Sequence, residues 1–170
     1  MSDRATSIRA EHRKATIIAL VYCLVPCAAL GLVILVLSQT PARATVPAAA
    51  ATAEHNIVLS IFVLVALLEV GVAALLRFAL FPRMMRGAWV SKGQFQNNTL
   101  EYVRRVYAPT IMICATCVGP TILGFVLWAL GWTKYGSAPW GELAFFVGLT
   151  VVSAAVFMPR LQVWETSLKQ

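Results

Sequence analysis

The chain has 170 residues, of which 59% are hydrophobic and 12% charged, and a net charge of +7. Soluble domains run at ~45–50% apolar and ~25% charged residues, so this composition excludes disorder, a disulfide scaffold and an ordinary soluble enzyme. An integral membrane protein remains. In such a protein, basic residues scattered at the ends of apolar runs set orientation and meet anionic headgroups; they are no nucleic-acid footprint.

A basic tail with Arg4, Arg9, Arg13 and Lys14 leads into the uncharged apolar run Ala15–Leu37. That run is longer than the ~7–15 residues of a signal-peptide core, so it reads as a retained helix in spite of the following Ala42-Arg43-Ala44. The connection from Ser38 to Asn56 is rich in Pro and Ala and reads as a loop. The second run, Ile57–Phe81, contains Glu69 and Arg77 and stops at Pro82-Arg83. Met84 to Gln96 is polar and reads as an irregular surface segment. Asn98 followed by Glu101 resembles a capping box, which starts the third helix near residue 99 and carries it through the apolar run to Trp132. Pro109 and Pro120 favour bends within it. The fourth run, Pro139–Met158, carries Glu142 near its start and stops at Pro159-Arg160.

Crossing ~30 Å of hydrocarbon takes ~20 helical residues, and each run meets that length. Nothing alternates as barrel strands do, and backbone groups in lipid must be paired within a helix. The expected fold is all-α: a polytopic membrane protein with four transmembrane helices in an antiparallel bundle. Residues 1–170 form a single transmembrane domain with helices near 15–37, 57–81, 99–132 and 139–160. Basic residues concentrate in the N-terminal tail, the middle connection (Arg83, Arg86, Lys92, Arg104, Arg105) and the C-terminal tail (Arg160, Lys169). This bias puts both termini in the cytoplasm of a bacterial-type inner membrane. Trp128, Trp132 and Trp140 then form an outer aromatic belt, with Trp89 and Trp164 on the inner side.

The chain also reads as a duplicated helical hairpin, with halves 1–84 and 98–161. Val25–Leu37 aligns with Val118–Leu130 at five of thirteen positions, and each half ends on the same Pro-Arg stop. Two helices per copy give both copies the same orientation, related by an axis along the membrane normal.

Glu69 is the sharpest candidate. A charge at the bilayer centre costs ~2.5–3.5 kcal/mol on insertion scales, so this carboxyl faces other helices and is either an ion or proton site or an inter-helix contact. Arg77 lies eight residues nearer the basic end; with Arg83 and Arg160 it is a candidate contact for lipid headgroups or a partner. Cys23, Cys27 and Gly31 form a stripe of small residues, and Gly119, Gly124, Ala144 and Gly148 share such spacings. Small residues let helices approach closely, so these positions are expected to pack helices, with the cysteines as small hydrophobes rather than metal ligands.

No catalytic constellation, cofactor motif or metal-ligand spacing appears, and the histidines flank the helices. The expected function is non-enzymatic: an accessory, scaffold or assembly subunit of a larger membrane complex. Its partners are the lipid bilayer and other membrane subunits or further copies of itself, with no nucleic acid. The alternative is a small proton- or cation-coupled transporter or channel that uses Glu69.

Overall fold

The computed structural model describes residues 2–40, 48–84, 99–136 and 138–162, and side chains over 9–40, 52–84, 107–136 and 138–162. The described residues are helical, without strands: α1 (Ser2–Ser38), α2 (Ala48–Leu75), α3 (Thr99–Leu130) and α4 (Trp140–Phe157). A π-helical turn, Leu76–Leu80, prolongs α2, and another, Gly131–Tyr135, prolongs α3. Among the described residues, four helices are long and apolar enough to cross a membrane.

Helix boundaries differ from the apolar runs where good helix formers are polar or small. α1 begins at Ser2, because Arg, Ala, Glu and Lys before residue 15 propagate a helix that hydropathy does not register. α2 begins at Ala48, so the second half of the Ser38-to-Asn56 connection is helix rather than loop; Ala48–Ala51 are the strongest helix formers available. α3 runs through Pro109 and Pro120. The Asn98–Glu101 cap, the segment after Met84 and both inner tryptophans, Trp89 and Trp164, lie outside the described side chains.

Packing centres on α3. It contacts each of the other three helices, most extensively α4, whereas α1 and α2 have no comparable contact with one another. Half of the most apolar stretch of α3 is buried, against none of the corresponding stretch of α1. Near the basic ends, Ala15, Ala73, Phe81, Tyr107, Ile113 and Cys117 form one core cluster, with Ala154 and Phe157 of α4 packed on it. Toward the other end, Ala66, Leu127 and Phe146 form a second. Between Tyr135 and Trp140 the chain reverses through Gly136, whose φ of 71° is left-handed and suits a residue without Cβ.

Candidate functional site

Glu69 is brought by α2 against α3 at Gly119. A Cβ built on Gly119 would collide with Oε1, Oε2 and Cδ of Glu69, so glycine is what leaves room for the carboxyl. Oε2 is buried and has no hydrogen-bond partner. A negative charge there would stand uncompensated in apolar surroundings. The next residue, Pro120, has no amide hydrogen, so the Thr116 carbonyl lacks its usual i+4 donor. One residue further, Thr121 donates both its amide (3.1 Å) and its hydroxyl (2.8 Å) to Thr150 Oγ1 of α4. The carboxyl of Glu69, Pro120 and an inter-helix hydroxyl pair thus meet at neighbouring turns of α3. The sequence marks Glu69 and Gly119 separately; the fold brings them together.

Arg77 lies in the π-helical turn of α2 and is nine-tenths buried. Its guanidinium sits over the rings of Phe78 (5.5 Å) and Phe81 (5.7 Å), and Nε has no hydrogen-bond partner. The cation is sheltered by these aromatic faces, which attract it through their quadrupole. Arg83 and Arg160 are exposed.

The small residues divide. Gly124 is packed so closely that a Cβ would stand 2.6 Å from Cβ of Phe146. Gly31 and Gly148 meet nothing within 4 Å, and Ala144 is exposed, so none of the three packs closely against another described helix. Cys23 is joined to Cys114 by a disulfide between α1 and α3, which corrects the reading of Cys23 as a free packing residue; Cys27 and Cys117 are free thiols. The lipid-facing stretch hid this pair, because disulfides are ordinarily sought in loops. No group of three or more His, Cys, Asp or Glu side chains that could hold a metal ion occurs among the described residues.

At the end of the helices away from the arginines lies a polar clasp that the sequence reading did not assemble. Lys134 of α3 pairs with Glu54 of α2, and His55 of α2 lies 3.6 Å from Glu142 of α4. His55 also meets Tyr135 edge-on at 5.7 Å. The signal was present as acids and bases at the same ends of successive apolar runs. Trp128 is fully buried, with Trp132 stacked on it at 5.8 Å and Trp140 tilted against it at 5.3 Å, so the three tryptophans cluster at this end of the helices.

The basic end has its own ties. Tyr107 of α3 donates to Glu11 of α1, Lys14 reaches Glu11 at 3.3 Å, and His12 lies 3.0 Å from the Pro159 carbonyl after α4. No known protein family, characterised protein or solved structure matches the chain.

Proposed function

We propose that the chain is a small multi-pass inner-membrane protein that serves as an accessory or assembly subunit of a larger membrane complex. Its four helices cross in antiparallel order, with both termini cytoplasmic. Support for this order comes from the ends that meet: Glu11 with Tyr107 at the starts of α1 and α3, Glu54 with Lys134 at the start of α2 and the end of α3, and His55 with Glu142 at the starts of α2 and α4. The Pro-Arg pairs that follow the second and fourth apolar runs and the side-by-side α1 and α3 support a duplicated hairpin, although the helix continues through Pro82-Arg83 rather than stopping there. The observation that carries the subunit reading is α1. It leans on α3 alone and leaves Val21, Tyr22, Val25, Leu32 and Val36 more than half exposed. Such a helix presents a full apolar face for another membrane helix, where packing rather than a hydrophobic driving force decides association.

The test is gentle detergent purification of the full chain from its own membrane, with mass identification of what accompanies it. A stoichiometric membrane partner, lost on Val25→Gln, is expected; a protein that always runs alone removes this reading. A second reading, a proton or cation site, is favoured by the unpartnered Oε2 of Glu69 at Gly119. It requires ion flux in liposomes that Glu69→Gln abolishes; flux unchanged by that substitution excludes Glu69 as the carrier.

A further inference from the structure

Because α1 and α4 both pack on α3, an apolar cleft of about 550 Å³ opens between them. Leu20, Cys27 and Ile34 of α1, Val118 of α3, and Val147 and Val151 of α4 are among its walls. From Leu20 to Ile34 it follows α1 for about 21 Å at 1.5 Å per residue, longer than half of a ~30 Å hydrocarbon core. At the Leu20 end the same stripe of α1 continues as Arg13 and Arg9, which lie within about 60° of Leu20, Cys27 and Ile34 at 100° per residue. Arg160 follows the Met158 wall of α4. Arg9, Arg13 and Arg160 are exposed, and Arg160 also acts electrostatically on the buried Arg77, whose Nε is unpartnered. The acid on this stretch of α1, Glu11, is already engaged by Tyr107 and Lys14.

We infer that this cleft binds an anionic phospholipid from the leaflet that holds the basic ends, one acyl chain lying along α1 and the phosphate held by Arg9, Arg13 and Arg160. Charge complementarity names the headgroup: the cations at the mouth outnumber their acid partners, and juxtamembrane basic clusters attract anionic lipid. The shape names the tail. His12 and the Pro159 carbonyl, 3.0 Å apart, tie α1 to the end of α4 at the basic end and limit how far the two helices can part. A partner helix packs at 8–10 Å between axes and would have to part this tie, whereas an acyl chain is far thinner. The inference rests on the helices lying in a bilayer and not on the subunit reading.

The test is native mass spectrometry of the full chain in mild detergent, titrated with phosphatidylglycerol or with phosphatidylcholine of identical acyl chains. The wild type is expected to retain phosphatidylglycerol at least tenfold better. Replacing Arg9, Arg13 and Arg160 together by Gln is expected to remove that preference, on the order of a hundredfold at most, and to leave phosphatidylcholine unchanged. Gly31→Phe extends a ring from a cleft-lining position where a side chain meets nothing within 4 Å, and is expected to weaken both lipids. Gly148→Phe, equally open but outside the cleft lining, controls for folding and leaves both unchanged. Equal retention of the two lipids by the wild type, or a preference that survives the arginine substitutions, overturns the proposal. So does lipid binding indifferent to Gly31→Phe, or a bound polypeptide that Gly31→Phe displaces.

Discussion

α1 and α3 match at five of thirteen aligned positions in one apolar stretch and are used in opposite ways. α3 is the hub on which the other helices rest; α1 touches α3 and leaves most of its surface uncovered. The aligned glycines show the divergence most sharply. Gly124 is pressed against Phe146 of α4, while Gly31 opens onto the cleft between α1 and α4. Small residues permit close approach; what selects the face is a large side chain opposite, since lipid tails are as apolar as the helices themselves. The same holds for Trp128, fully buried on α3, and Leu35, its aligned residue on α1, which is 58% exposed.

That contrast is open to direct attack. Trp128→Ala is expected to destabilise the protein by about 3–5 kcal/mol in detergent thermal melts, while Leu35→Ala leaves the melt unchanged; equal effects would mean that α1 is as deeply packed as α3. Breaking the covalent tie between the two helices by Cys114→Ser is expected to cost about 2–4 kcal/mol and to abolish a mobility difference between reducing and non-reducing gels. Gly124→Leu is expected to cost about 1–3 kcal/mol by overpacking, against no measurable change for Gly31→Leu. Gly119→Ala should destabilise by about 1 kcal/mol, with much of the loss restored in the double variant Glu69→Ala/Gly119→Ala; simple additivity would separate the carboxyl from its notch. Lys134→Gln should give the smallest shift of all, because exposed ion pairs contribute little.

Helix number and type were legible because hydrocarbon thickness and backbone pairing leave few options. Helix ends were not, since Ala48–Ala51 and the charged start of α1 are helical without being hydrophobic. Glu69 stood out by its cost, but its seat on Gly119 depends on how α2 rotates against α3, which composition does not encode. The same rotation hid the Cys23–Cys114 pair and the clasp of Glu54, His55, Lys134 and Glu142. The shelter of Arg77 depends on a π-helical turn and two phenylalanines, which hydropathy does not register. Small-residue spacing gave Gly31, Gly124, Ala144 and Gly148 one packing role; within the chain Gly124 is pressed against Phe146, whereas Gly31 and Gly148 meet no close neighbour and Ala144 is exposed.

The hub helix is third in order of synthesis, and this fixes a timetable for assembly. When α1 and α2 have been translated, neither has a docking partner within the chain, because both rest on α3. At ~5–20 residues per second, the interval from Met84 to Leu130 lasts roughly 2–9 seconds. During that interval the two early segments are held by the insertion machinery or by bulk lipid alone. α4 meets no such delay, since it emerges directly after α3 and folds back onto it through Gly136. A nascent chain arrested just before α3 is thus expected to remain unassembled.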